Sequence, residues 1–403
     1  MRVHASSEAS SRTSSAPDAA HKMESTPEWL ALLEFAARRP NRDVLATLLR
    51  GSLNWSELLQ LAEYHGFICL LAERAKTVDA SSIPPASQVS LQERQRTFTV
   101  SSLHLIAELF RVLKAFAESR IDVLLTKGPA LSVRCYGHPN MRQYGDIDLI
   151  VRERDIRRLT QTMVNLGYQP RIPLTAIHAQ KGTGEYAFRK AGTDALVEFH
   201  TERTLRHHPS RLPIETVFAR STSITIDGRD VPVLSLEDEL VLICVHGAKH
   251  FWERLMWIAD VAALMWSLNP PDWNRAMAAA REVHAERIVR LGLRLASDLL
   301  GAKLSPQIES SVRADRTVAK LAAQIKASLA SPSSPPMGVL HRAMFRVRMR
   351  GGLFAGPAYL LRLSLAPTEE DWTPEEAHQR SVVMEVIGRP LRLLKKHGRR
   401  SSS

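Results

Sequence analysis

Cysteine is scarce: three residues in 403, Cys69, Cys135 and Cys244, lie far apart and form no CxxC pair. That excludes a disulfide framework and a zinc knuckle, and leaves each thiol to fill core space in a reducing cytosol. No apolar run approaches the roughly 20 residues that a bilayer-spanning helix needs, so no transmembrane segment is expected and the expected location is cytoplasmic. The Ser/Ala-rich stretch before Trp29 has no apolar h-region of the kind a signal peptide carries. Residues 1–24 are therefore expected to form a disordered tail, with Met23 as an alternative start. Internal repeats and recognised nucleic-acid-binding motifs are also missing.

The charge balance is basic. Lys plus Arg number 54 against 42 Asp plus Glu, a formal net charge of +12. Anionic partners are favoured by that excess, whereas fold is not decided by it. The surplus is spread along the chain except at the C-terminal LRLLKKHGRR, so an anionic small molecule is expected ahead of bulk nucleic acid.

Apolar spacing of three and four residues marks TPEWLALLEFAARR, NWSELLQLAEYHGFICLLAERAK and LHLIAELFRVLKAFAES as helices. The Ser/Pro break ASSIPPAS separates the last two. Residues 25–119 thus read as an N-terminal helical region. The pattern then changes to short apolar runs, IDVLLTKG, DIDLIVRE and ALVEFHTE, with ERDIRRLTQTMVNLGY as a helix between the last two. Interleaved strands and helices predict an α/β core over 120–234. Within it Asp227-Gly228 divides two alternating runs and predicts a hairpin. From Ser235 the sequence turns helical again, with SLED as a capping box ahead of ELVLICVHGAKHFWERLMWIADVAALMW. Residues 235–330 are expected to pack on the core, and 331–403 to form a basic C-terminal extension. Its FRVRMRGGLFAGPAYLLRL segment reads either as a basic amphipathic surface, making a weak anionic-surface contact, or as a docking helix of the same protein.

The chemistry is concentrated in RQYGDIDLIV. In a strand Asp146 and Asp148 share one face while Ile147, Leu149 and Val151 take the other. Two carboxylates about 6 to 7 Å apart at their backbones can converge on a pair of metal ions. Crowded buried carboxylates repel, and a divalent cation relieves that repulsion. D-x-D alone is a common tripeptide, and the bland alternative is a solvated strand edge. Three further features point the same way. Glu198 is an acid set into another apolar run, placed for a third ligand. Lys127-Gly128 ends the preceding strand, with a lysine to meet phosphate and a glycine to allow close backbone approach. Arg142, four residues before Asp146, can reach an anionic group.

HGAKHFWERLMW carries His246 and His250 four apart on an expected helix, with Lys249 between them and Trp257 further along a similar face. A zinc protease pair is excluded because Gly247 stands where that motif needs glutamate. Two readings stay open: a helix lining a nucleotide cleft, with Lys249 on phosphate and a histidine near the base or acceptor, or a half-buried helix whose histidines are satisfied locally.

The blocks LLTKGPAL, YGHPNMRQYGDIDLIV, LGY, VEFH and LSLEDELVLICVHGAKHFWERLMWIADVAAL resemble a poorly characterised bacterial nucleotidyltransferase family. That family lies within the DNA polymerase β-like superfamily. The resemblance runs from about residue 40 to 395 and is most specific between 120 and 265. It implies an α+β fold: a minimal nucleotidyltransferase core with a mixed β-sheet, flanked by N-terminal and C-terminal helical regions. It further implies transfer of a nucleoside monophosphate from an NTP substrate, with two Mg2+ ions, to an unidentified acceptor hydroxyl, releasing pyrophosphate. By resemblance Asp146 and Asp148 fall on the metal pair, Glu198 on the third acid, and Gly128 on the glycine motif ahead of the acids. Pro129 departs from the common second glycine or serine and removes one backbone donor. Expected site residues are therefore Asp146, Asp148 and Glu198 for metal and catalysis, with Lys127, Gly128, Arg142, His246, Lys249 and His250 for the nucleotide. The acceptor class is a small molecule, peptide or protein; RNA-directed transfer and a silent nucleotide-binding scaffold are the alternatives.

Overall fold

The structure is a computed structural model that describes residues 26–79, 82–179, 184–193, 195–205, 211–267, 270–329 and 338–350. The expected tail over 1–24, part of the expected basic extension, and residues 206–210 lie outside the described residues. The architecture is α+β, as the resemblance implied: a mixed seven-stranded sheet flanked by helices.

Local chemistry sets the helix ends. The first helix, α1 (Pro27–Ala36), starts at Thr26, whose hydroxyl accepts from the Trp29 amide, with proline at the first position. The next, α2 (Arg42–Arg50), is capped by Asn41. NWSELLQLAEYHGFICLLAERAK is two helices rather than one, α3 (Trp55–His65) and α4 (Ile68–Ala75). Gly66 divides them in a left-handed conformation, φ 86°, that glycine adopts without strain. After the Ser/Pro break comes α5 (Pro85–Glu118), 34 residues long.

The strands follow as β1 (Val123–Thr126), β2 (Ile147–Val151), β3 (Tyr168–Pro170), β4 (Glu185–Lys190), β5 (Leu196–His200), β6 (Thr222–Ile226) and β7 (Arg229–Val233). Their order in the sheet is β3-β4-β5-β2-β1-β7-β6. Only β2–β5 and β1–β7 run parallel. The β6–β7 hairpin turns at Asp227 and Gly228, both at positive φ, as the Asp-Gly signal predicts. Between β1 and β2 lies α6 (Gly128–Tyr136), and after β2 lies α7 (Ile156–Asn165).

Two apolar cores result. One is the sheet's, where Leu149, Val197 and Phe199 pack with Leu109 and Phe116 of α5. The other is mainly helical, with Leu124 and Ile150 from the sheet, and it joins α1–α4 to the helices after the sheet. These include α10 (Leu236–Lys249) and α11 (Leu255–Met265), which follow two short helices, α8 (Leu174–His178) and α9 (Ile214–Ala219). Leu91 of α5 belongs to the helical core, so this one helix runs through both. Phe345 and Met349 of the otherwise basic segment are also buried in the helical core. Over its described part, that segment is a docking element of the same protein.

The expected continuous helix from Glu239 to Trp266 is broken. Ser235 caps α10 as SLED suggests, its hydroxyl accepting from the Asp238 amide and donating to Asp238 Oδ2. The chain then reverses after His250, where Phe251 and Trp252 take positive φ. Trp252 is fully buried against Gly247, where an added Cβ would lie 2.6 Å from its ring. Glycine at 247 is thus set by packing.

Candidate active site

The acids sit on or beside two neighbouring interior strands of the sheet. In the parallel β2–β5 pair Asp148 stands beside Glu198, and on the other side Asp148 faces Thr126 of β1. Asp146 is one residue before β2 begins rather than inside it, and is half-buried where Asp148 is buried. All three acids line a cavity of about 940 Å³ between the sheet and α10–α11.

Asp148 Oδ1 accepts from two groups: Lys127 Nζ at 2.6 Å and His200 Nε2 at 2.7 Å. Among the described residues, Asp148, Glu198 and His200 each offer one ligand atom within 4.8 Å of the others. Sequence reading passed over His200. The signal was available, because His200 lies two residues after Glu198 in one strand and so shares its face. On the far side of its ring, His200 Nδ1 lies 3.0 Å from Thr204 Oγ1, which donates to Glu185 Oε1 at 3.2 Å.

The electrostatics divide the acids. Burial works to raise the Asp148 carboxyl, but the Lys127 ammonium and the His200 hydrogen bond outweigh it and hold Asp148 well below the ordinary range. Burial and the Asp148 charge push Asp146 up to about 6. Glu198 is raised by the same two causes. Burial would lower the Lys127 pKa, yet the charge of Asp148, with Asp146 and Glu198 behind it, raises it. One negative charge is therefore fully paired in the protein, and two more are held under repulsion.

Lys127 is positioned by the backbone. It adopts φ 54° at the end of β1, followed by Gly128 at φ 38° at the start of α6. Buried Glu239 of α10 secures this turn: its Oε1 accepts from the Lys127 amide at 3.2 Å and from Thr126 Oγ1 at 3.1 Å. Arg142 lines the cavity, but its Nε donates to the fully buried Asp260 of α11 at 2.9 Å and its NH1 to the Gln143 carbonyl at 3.4 Å. A buried guanidinium needs a carboxylate, and Asp260 supplies it from far along the chain. Arg142 is thereby drawn toward the protein and away from the open fork that the sequence suggested.

The opposite wall carries rings. His246, His250 and Trp257 form a cluster with centroids 4.7 to 5.4 Å apart. Trp257 belongs to α11, across the chain reversal from the histidines, and not to the same helix. Burial, followed by the Lys127 charge, pushes His246 well below its usual value; burial and neighbouring Lys249 bring His250 down to about 4. Lys249 is exposed at the rim and bonds both oxygens of Glu185, at 3.0 and 2.8 Å.

Neighbouring strands of a mixed sheet thus project acids into a cleft closed by helices. The chain matches the family described as uncharacterised nucleotidyltransferase over residues 51–301, and it belongs to that family. No curated protein matches. Among solved structures, an antigenic nucleotidyltransferase-like protein from Paracoccidioides brasiliensis is similar at 16% identity and a TM-score of 0.32, covering 54% of this chain and 92% of that one. Among the described residues, no helix is long and apolar enough to cross a membrane.

Proposed function

We propose that the protein is a divalent-metal-dependent nucleotidyltransferase of the DNA polymerase β-like type. It moves a nucleoside monophosphate from an NTP to a hydroxyl of a small molecule, peptide or protein, releasing pyrophosphate. The observation that carries this reading is the strand register that sets Asp148 beside Glu198 at the floor of a cavity large enough for a nucleotide.

The donor set fits the group implied. Asp146, Asp148 and Glu198 are oxygen donors of the kind magnesium takes, and the raised pKa values of Asp146 and Glu198 reflect a local excess of negative charge that a divalent cation relieves. When bound, such ions activate the acceptor hydroxyl and screen charge on the α-phosphate. The protein's own groups supply the rest. Lys127, at the Gly128 turn, gives a positive charge at the α6 N-terminus, where phosphate oxygens are favoured. Lys249 can exchange the Glu185 carboxylate for a terminal phosphate, because an exposed pair of this kind costs little to break. Neutral His246 and His250, with Trp257, offer a wall for the uncharged base. Arg142, tied to Asp260, steadies the turn that carries Asp146.

The test is incubation with each of the four α-labelled NTPs, with Mg2+, with and without a lysate of the source cell. Asp148→Asn serves as the control. Label transferred to a species other than RNA, and lost in the variant, supports the proposal. Label on RNA would redirect it to RNA tailing. NTP binding with no transfer under any of these conditions would make the protein a silent scaffold.

A further inference from the structure

We infer that His200 is a metal ligand of this site through Nε2, which makes the site a mixed nitrogen and oxygen centre that prefers a first-row transition ion such as Mn2+ to Mg2+. The inference rests on the metal-dependent reading above and adds a donor and an ion class to it.

Glu185 Oε1 belongs to a carboxylate and only accepts, and Thr204 Oγ1 lies 3.2 Å from it as a donor. Thr204 Oγ1 also lies 3.0 Å from His200 Nδ1, so with its hydroxyl hydrogen on Glu185 it has a lone pair to accept a hydrogen from that nitrogen. Thr204 thus holds His200 at Nδ1, and Nε2 is the nitrogen aimed at the acids. The same arrangement recurs in metal sites, where a ligating histidine donates its other N–H to a supporting oxygen that orients the ring. Here Thr204 is that oxygen, with Glu185 behind it.

Position agrees with the hydrogen-bond direction. The ligand atoms of His200, Asp148 and Glu198 lie within 4.8 Å of one another. His200 is buried, and the strand period sets its side chain on the same face as Glu198. Without metal, Nε2–H donates to Asp148 Oδ1 at 2.7 Å. In the metal-bound state the ring's one hydrogen sits on Nδ1, facing Thr204, any second proton having left to solvent, and the Nε2 lone pair takes the ion. Imidazole nitrogen is a poor donor for magnesium and a good one for first-row transition ions, while carboxylates serve manganese as well.

Mn2+ itself is the probe, with the full chain and no nucleotide. Electron paramagnetic resonance follows the loss of free Mn2+ on binding, and electron spin echo modulation reads the ligand nuclei. The wild-type protein should show nitrogen-14 modulation that converts to the nitrogen-15 pattern when its histidines are isotope-labelled, a result that needs no variant to fold. His200→Gln should abolish the modulation and lower the preference for Mn2+ over Mg2+ about tenfold or more. Thr204→Val should weaken Mn2+ binding about tenfold with the modulation retained. Saturable Mn2+ binding that Asp148→Asn removes, but that lacks histidine modulation, would overturn the role of His200 and leave the metal reading intact. Modulation that persists in His200→Gln and vanishes in His246→Gln would overturn it too, by moving the nitrogen to the other wall. Absence of any binding that depends on Asp148 would overturn both.

Discussion

The floor and the wall of the cavity solve the problem of burying polar groups in opposite ways. On the floor, charge is kept and paired: Asp148 stays ionised between Lys127 and His200, and the acids beside it wait under repulsion. On the wall, charge is given up: burial drives His246 and His250 toward neutrality, and they pack edge-on and tilted against Trp257. The contrast teaches that one cleft offers two different solvents, a polar one suited to triphosphate and ions, and an apolar, polarisable one suited to a flat uncharged ring.

The contrast can be broken most severely at the floor. Asp148→Asn leaves Lys127 and His200 without the carboxylate that pairs them, and nucleotidyl transfer is expected to fall by about 10³-fold or more, measured as pyrophosphate release. The wall should respond in a different parameter. Trp257→Leu removes a stacking face, and KM for NTP is expected to rise about tenfold while kcat changes little. If kcat falls and KM holds, the wall is acting on the acceptor instead.

A third variant separates stability from chemistry. Asp146 is raised from its ordinary value of 3.8 to about 6. Between those values the folded state binds more protons than the unfolded state, so this residue's contribution to stability falls as pH rises through that window. Asp146→Asn should therefore raise the melting temperature of metal-free protein at pH 7.5, with the gain shrinking to nothing below about pH 4, while abolishing transfer. A melting temperature that drops at pH 7.5 would contradict the repulsion described for the floor. The mildest test concerns the wall's scaffold. Gly247→Ala places a Cβ 2.6 Å from Trp252, and an overpacking cost of about 1 to 3 kcal/mol is expected from denaturant unfolding, with KM shifted less than in Trp257→Leu.

Much of the floor was legible in the sequence because it is local. A tripeptide, a strand period and a terminal Lys-Gly were sufficient to select Asp146, Asp148, Glu198 and Lys127. His200 obeys the same period, but a lone histidine at a strand end carries no charge mark like that of the acids, so the period alone does not single it out. The wall was less legible. Nothing in HGAKHFWERLMW announces that the chain reverses at Phe251 and Trp252, since the apolar spacing continues across the break; only the packing of Trp252 on Gly247 explains it. Partners distant in sequence, Asp260 for Arg142 and Glu239 for Lys127, carry no local mark at all. The strands β3 and β4 went unread for a related reason: β3 is three residues long, and β4 buries Tyr186, Ala187 and Phe188 in succession instead of alternating.

Helix α10 is fastened to the sheet at both ends, but by unequal means. Near its start, Glu239 is buried and holds the Lys127 amide and the Thr126 hydroxyl, groups that would be left unsatisfied if it withdrew. At its last residue, Lys249 meets Glu185 at the exposed rim, where water can replace either partner. A helix held in this way behaves as a leaf with a hinge and a latch. The latch is the weaker of the two attachments, so the Lys249 end is the side from which the cleft is expected to widen.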